Sequence, residues 1–329
     1  MPQRSVQDAG ILSQETTMPS TATHFAALTK SRQLARRGPQ SQLTYRIAGI
    51  SFGMNNSDGL RMTFDASMQP FAVQKDVCDV ELQVVLVDAL TKPKQEAVFD
   101  SGGLWSLYAE DGGYRLNFLR AFPGETPYKS AWFNKDFCAG RLELSRLFFN
   151  TSKAIYPLEY PLDEVLMIHH LAGGKGVEVH ALGLVDNAGN GHLFLGHSGA
   201  GKSTSARLWQ RQPGVHILSD DRIILRRDGG QVWMHGTPWH GDAGIASPHG
   251  ALLSHIYILE QAPSNELVSM PRSAATAEIF ARSFVPRHSA EALDFTLQFI
   301  EQLSQELPCD VFRFLPQQSA VEVIRNARV

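Results

Sequence analysis

Two textures divide the chain. Between residues 43 and 160 apolar and polar positions alternate, as in Tyr45-Arg46-Ile47-Ala48-Gly49-Ile50-Ser51-Phe52, Leu60-Arg61-Met62-Thr63-Phe64 and Val80-Glu81-Leu82-Gln83-Val84-Val85-Leu86-Val87. A period of two places successive side chains on opposite faces of a strand. Polar clusters, Asn55-Asn56-Ser57-Asp58-Gly59 and Glu110-Asp111-Gly112-Gly113, interrupt the runs as turns do. Residues 104–108 and 114–118 flank the second cluster and predict a hairpin. The pattern over 43–160 therefore predicts a β-rich, mainly antiparallel domain with its aromatic residues in the core and no internal repeat.

Beyond Pro157-Leu158-Glu159-Tyr160-Pro161-Leu162 the spacing changes. Asp163-Glu164-Val165-Leu166-Met167-Ile168-His169-His170-Leu171 predicts a packed helix that Gly173-Gly174 ends. Two apolar runs, 177–185 and 192–195, are joined by Asp186-Asn187-Ala188-Gly189-Asn190-Gly191, a sequence suited to a hairpin. A helix is expected at 205–209, an apolar strand at 215–225, an edge strand at 307–315 and a last helix at 319–325. The domain expected over 161–329 is thus α/β, and the whole chain α+β. Residues 1–42 are rich in Ser, Thr, Gln, Ala and Arg and poor in large apolar residues, which predicts a disordered tail. Its basic stretch, Lys30-Ser31-Arg32-Gln33-Leu34-Ala35-Arg36-Arg37, reads as solvated.

The chemistry concentrates where the hairpin ends. Gly196-His197-Ser198-Gly199-Ala200-Gly201-Lys202-Ser203-Thr204 fits G-x-x-x-x-G-K-[ST], between an apolar run and a helix-compatible one. In a strand, glycine turn and helix start of this kind, backbone N–H groups converge on an anion and the helix terminus adds partial positive charge. Lys202 reaches the outer phosphates in such a loop, and the Ser203 hydroxyl ligates Mg²⁺. The hairpin before the loop predicts an antiparallel neighbour for its strand, unlike the strand–helix alternation of a Ras-type domain. Further on, Asp220 and Asp221 interrupt the apolar run 215–225 together. A phosphate loop needs a carboxylate near its metal, and a kinase needs a base for the acceptor hydroxyl.

Composition narrows the partners. The 329 residues carry a net charge of −3, which gives no basic field for nucleic acid, and no nucleic-acid partner is expected. Three scattered cysteines form no disulfide framework, and no apolar stretch has the length of a membrane span. The first residues lack a signal-peptide core. A cytoplasmic location without a membrane partner is the expectation, with a homo-oligomer left open. His235, His240, Asp242 and His249 have no zinc-ligand spacing. Gly236-Thr237-Pro238-Trp239 reads equally as a ligand contact, with Trp239 as a stacking face, or as a rigid turn packed by tryptophan.

His180-Ala181-Leu182-Gly183-Leu184-Val185-Asp186, the phosphate loop, and Leu218-Ser219-Asp220-Asp221-Arg222 together resemble the catalytic domain of the HPr kinase/phosphorylase family. They look closer still to the HPr-kinase-related proteins found beside peptide and small-molecule biosynthesis genes. The resemblance covers residues 180–225 and, loosely, the rest of the carboxy-terminal half, but not the first 150 or so residues. It implies a P-loop kinase domain whose mixed sheet is similar to the nucleotide-binding core of phosphoenolpyruvate carboxykinase. It implies ATP and Mg²⁺ as cofactors, with Lys202 on the phosphates, Ser203 on the metal, Asp220 as catalytic base and Asp221 as the metal-side carboxylate. His180 matches a family histidine near the phosphates. Thr204 stands where those kinases usually have Glu, so a second metal or a phosphorylase back-reaction loses its support. The family's glycine-rich carboxy-terminal signature is also not visible, which argues against HPr as substrate. Among the arginines, Arg282 is the first choice to balance charge on a transferring phosphoryl group, and a solvated helix face explains it equally well.

The reading is a kinase that moves the γ-phosphate of ATP to a serine-like hydroxyl on a peptide, protein or metabolite. A carboxykinase-like lyase and a non-catalytic nucleotide-binding recognition module are the alternatives.

Overall fold

The computed structural model describes residues 41–326 apart from 57, 75–76, 120–125 and 150–151. The expected tail lies outside the described residues, except that Ser41 and Gln42 already belong to the first strand. The alternating half forms one eight-stranded sheet. Its strands are β1 (Ser41–Ile47), β2 (Ile50–Asn56), β3 (Val80–Val87), β4 (Phe99–Asp100), β5 (Trp105–Glu110), β6 (Gly113–Leu119), β7 (Pro127–Asn134) and β8 (Ala139–Ser145). They lie in the order β1-β2-β3-β8-β7-β6-β5-β4. The expected hairpin is β5–β6. Two pairs, β2–β3 and β3–β8, are parallel, so the sheet is mixed. Parallel neighbours need a crossover, and residues 57–79 and 88–138 supply the two.

Helix α1 (Glu159–Ala172) follows. Its Leu162, Val165, Leu166, Met167 and Leu171 are buried in the same core as Phe52, Leu82, Leu116, Leu142 and Leu144 of the first sheet. Ile224 and Trp239 from the second half join that core, so apolar packing runs across the seam.

The second half supplies β9 (Val177–Val185), β10 (Gly191–Leu195), α2 (Lys202–Gln210), β11 (His216–Ser219), β12 (Arg222–Asp228), β13 (Gln231–Gly236) and β14 (Gly250–Gln261). It ends with β15 (Glu266–Ser269), α3 (Arg272–Phe280), β16 (Ser283–Phe284), α4 (Ala290–Glu306), β17 (Cys309–Phe314) and α5 (Ser319–Asn326). The expected hairpin is β9–β10, antiparallel. On its other side β10 pairs parallel with β14, and the path β10-β9-β12-β13-β14 returns to β10. The segment at 307–315, expected at an edge, is β17 and lies between β14 and β15.

Alternation along β10 sorts the two faces of this sheet. Leu193 and Leu195 enter one core with Ala275, Ile279, Phe299 and Leu303 of α3 and α4. Phe194 enters the other, with Ala206 and Trp209 of α2 and Val321 and Ile324 of α5. Helices therefore cover both faces, as an apolar parallel pairing requires. Helix α4 starts where Ser289 accepts the Ala292 N–H at 3.2 Å, a side-chain cap on an orphan donor. The molecule is α+β, two mixed sheets with few helices. Among the described residues no helix is long and apolar enough to cross a membrane.

Candidate functional site

Strand β10 stops at Leu195 and α2 begins at Lys202, so residues 196–201 form the loop between them. Three glycines shape it. A Cβ on Gly196 would lie 2.7 Å from the Ala200 Cβ, and one on Gly201 would lie 2.5 Å from the Phe314 ring. Gly199 (φ +81°) and Gly201 (φ +108°) adopt backbone that L side chains rarely reach. From β14, Gln261 donates its amide to the Gly199 carbonyl at 2.9 Å. His197, Ser198 and Gly199 form the exposed tip, whereas Gly196 and Ala200 are buried and Ser203 and Thr204 half-buried. The amides of Lys202, Ser203 and Thr204 head α2, where the helix has no preceding carbonyl for them. That is a cradle a nucleotide's phosphates fit: unclaimed helix amides, glycines at 196, 199 and 201 that leave the backbone bare, and the Lys202 ammonium beside them.

Lys202 is buried and donates to the Gly196 carbonyl at 2.7 Å and the His197 carbonyl at 3.3 Å. Burial pulls its ammonium down to about 8, with Arg282 and Arg222 adding to the effect and Asp221 opposing it. Both carbonyls are neutral acceptors, which a phosphate would outcompete for a cation.

The aspartate pair falls in the break between β11 and β12 rather than inside one strand. There β9 exchanges one neighbour for the other: residues 183–185 pair with β11 and residues 177–180 with β12. Ser219 Oγ accepts from the Asp221 and Arg222 amides at 3.3 and 3.2 Å, which tightens the jog. The two carboxylates consequently face different surroundings.

Asp220 is 1% exposed. Its Oδ1 accepts from the Gly241 and Ile245 amides at 3.1 and 3.3 Å, and its Oδ2 from Ala243 at 2.9 Å. Three donors on one buried carboxylate make it the anchor of loop 241–245. For the base role expected of Asp220, this arrangement leaves one acceptor site, on Oδ2, and the carboxylate is 1% exposed.

Asp221 is the half-exposed member. Its Oδ1 accepts from His180 Nε2 at 2.8 Å and its Oδ2 from Arg222. Burial raises its carboxyl, but the His180 hydrogen bond and the charges of Arg222, His180 and Lys202 leave it below the usual carboxylate value. A metal on Asp221, the other expectation, would share an oxygen with one of these two partners. His180 pairs with Arg222 in the β9–β12 register, and its N–H donates to the Arg282 carbonyl at 2.8 Å.

Arg282, the arginine singled out from sequence, sits just past α3 and is bound to Glu278 Oε2 at 2.5 Å. It is near enough for its charge to act on Lys202. Trp239 is buried in the first core and Thr237 gives its hydroxyl to the Arg222 carbonyl at 2.8 Å, so that segment is a packed turn. Sequence reasoning missed the cluster around Arg222. Its guanidinium bonds Glu164 Oε1 at 2.7 Å, lies 3.7 Å from Glu178 and stacks 4.4 Å over Phe284. The available signal was two adjacent carboxylates, Asp163 and Glu164, set between Leu162 and the apolar run Val165-Leu166-Met167-Ile168.

No family model matches the chain, and no curated protein matches it. Among solved structures, the HPr(Ser) kinase/phosphatase from Coxiella burnetii aligns with 45% of this chain and 94% of that one, at 16% identity and a TM-score of 0.26. A superposition that loose carries no argument for either fold or activity.

Proposed function

We propose that this chain binds ATP with Mg²⁺ at residues 196–204 and transfers the γ-phosphate to a hydroxyl acceptor. One juxtaposition carries the reading: a strand–glycine loop–helix start whose buried Lys202 lies within electrostatic reach of the Asp221–His180 pair. Mg²⁺, when bound, would supply charge neutralisation on the phosphates, and Ser203 at the head of α2 is the side chain placed to hold it. Lys202 would exchange its two loop carbonyls for phosphate oxygens. Asp221 holds the imidazole of His180 through Nε2, which leaves Nδ1 to take the proton of an incoming hydroxyl, the division of labour of an aspartate–histidine dyad. Asp220 keeps loop 241–245 against the site. Positioning and electrostatics supply most of the rate in such a transfer.

The test is Mg·ATP turnover, measured as phosphate release and as transfer to candidate hydroxyl acceptors. His180→Asn and Asp221→Asn should each lower turnover at least about 100-fold while ATP still binds, as loss of an acid–base group does. ATP binding without any turnover that depends on either residue would favour the recognition module. Loss of turnover on Asp220→Asn alone would restore Asp220 as the base.

A further inference from the structure

We infer that Glu164 of helix α1 is a positioning residue for the Asp221–His180 pair, acting through Arg222. The inference rests on the reading of that pair given above.

Asp221 divides its two oxygens between two partners, Oδ1 to His180 and Oδ2 to Arg222. Left to itself, an arginine beside a carboxylate takes both oxygens with its two-pronged fork. Here the fork is not free. The Arg222 Nε is bonded to Glu164 Oε1 at 2.7 Å, while a different nitrogen, Nη1, serves Asp221. The backbone is pinned as well: the Arg222 amide donates to Ser219 Oγ at 3.2 Å, and its carbonyl accepts from Thr237 at 2.8 Å. Phe284 closes one face of the guanidinium at 4.4 Å. Arg222 and Glu164 side chains are 16% and 7% exposed, so water does little to screen the pair.

Glu178 does not share this task. It lies 3.7 Å from Arg222, wholly buried, and neither of its oxygens has a hydrogen-bond partner. Burial and the charge of Glu164 push its carboxyl well above the usual range, and of the two acids it is Glu164 that hydrogen-bonds the guanidinium. With Glu164 holding Nε, the Arg222 guanidinium reaches one carboxylate oxygen of Asp221, Oδ2, and Oδ1 stays with His180. Without it, the fork swings onto both Asp221 oxygens and the imidazole loses its orienting partner.

The arm that delivers Glu164 is packed on the other half of the molecule. On either side of it, Leu162, Val165, Leu166 and Met167 are buried in the core of the first sheet. The amino-terminal sheet thereby fixes a side chain of the phosphoryl-transfer site although it lies in no part of the phosphate loop.

The experiment measures Mg·ATP hydrolysis, with water as acceptor, and ATP affinity by calorimetry in the full chain. The calorimetric stoichiometry counts folded sites, so rates are expressed per binding-competent molecule. Glu164→Gln should lower kcat about 10-fold while the ATP Kd stays within about 2-fold, because orientation of the base is lost and phosphate contacts are not. In an Arg222→Gln background the same change should have no further effect, since residues acting through one another are non-additive. An unchanged kcat in Glu164→Gln, an equal loss in both backgrounds, or a Glu164→Gln protein without ATP-binding molecules would overturn the inference. Wild-type hydrolysis in Asp221→Asn is a separate outcome and would remove the reading of the pair on which it stands.

Discussion

Each half of the molecule buries a lysine, and the two lysines are used in opposite ways. Lys129, on β7 of the first sheet, is fully buried and donates to the Leu158 carbonyl at 2.6 Å and to Glu159 at 3.0 Å. Lys202, at the head of α2, donates to two loop carbonyls and to no carboxylate among the described residues. Burial lowers both ammonium groups, and Glu159 opposes the effect on Lys129 through an ion pair. A cation that already has its anion is a structural tie, whereas one held by neutral carbonyls keeps its strongest interaction for a ligand. The rest of each half follows suit. Across the first sheet, Asn117 Oδ1 accepts from Arg115 at 3.0 Å and from Ser130 at 2.6 Å, so polar groups on that sheet satisfy one another. In the second half the carboxylate of the Asp221–His180 pair lies within electrostatic reach of Lys202.

The largest effect that could break this contrast comes from the lysines themselves. Lys202→Met should reduce ATP affinity at least about 100-fold and lower the denaturation midpoint less than Lys129→Met does, because it leaves no partner carboxylate without its cation. Lys129→Met should do the reverse. It strands a buried carbonyl and a partner carboxylate at a cost of about 1–3 kcal/mol, with ATP affinity unchanged. Calorimetric ATP titration and urea denaturation on the same two proteins decide the matter, and equal effects on both readouts would erase the distinction.

The next effect is pH-dependent and sits on the seam. Burial raises the Asp163 carboxyl on α1 from 3.8 to about 6, against the lowering effect of its bond from the Glu164 amide. Asp221 is shifted the other way. The folded chain thus holds the Asp163 proton more tightly than the unfolded chain does. Its contribution to stability is complete below pH 3.8 and disappears as pH rises through about 6. The slope is about 1.4 kcal/mol per pH unit within that window. Asp163→Asn should flatten the urea midpoint between those pH values and leave the protein more stable than wild type above them. A variant with the wild-type slope would assign the dependence elsewhere.

The smallest effect separates glycines of the same conformation. Gly112 in the β5–β6 turn has φ +87°, and a Cβ there meets nothing within 4 Å. Gly112→Ala should cost about 1 kcal/mol of backbone strain and leave ATP affinity untouched. Gly201 combines a φ of +108° with a Cβ position against Phe314, so the same change there should also abolish the loop.

These contrasts mark where the sequence was readable. The strand–loop–helix unit, the β9–β10 hairpin and the β5–β6 hairpin follow from glycine spacing and alternation, which act over a few residues. The parallel pairs β2–β3 and β3–β8 do not, since a crossover leaves no local mark on the strands it joins. The roles of Asp220 and Asp221 depend on where β9 exchanges β11 for β12, a long-range event, and the strand expected over 215–225 hid it. Glu164 was invisible for a related reason. Adjacent acids at a helix start read as a helix start, and only the packing of α1 against both halves turns one of them towards Arg222.

Strand β10 carries one more consequence. Its five residues are bonded on both flanks, to β9 and to β14, within a ring that has no loose end at that point. Amides in such a position exchange with solvent only when the ring itself opens, so the floor beneath loop 196–201 keeps time with global unfolding. A ligand arriving there lands on a surface that is already still. The freedom it must freeze is limited to the Lys202 side chain and the exposed tip at 197–199, and the entropy of ordering the rest was settled when the chain folded.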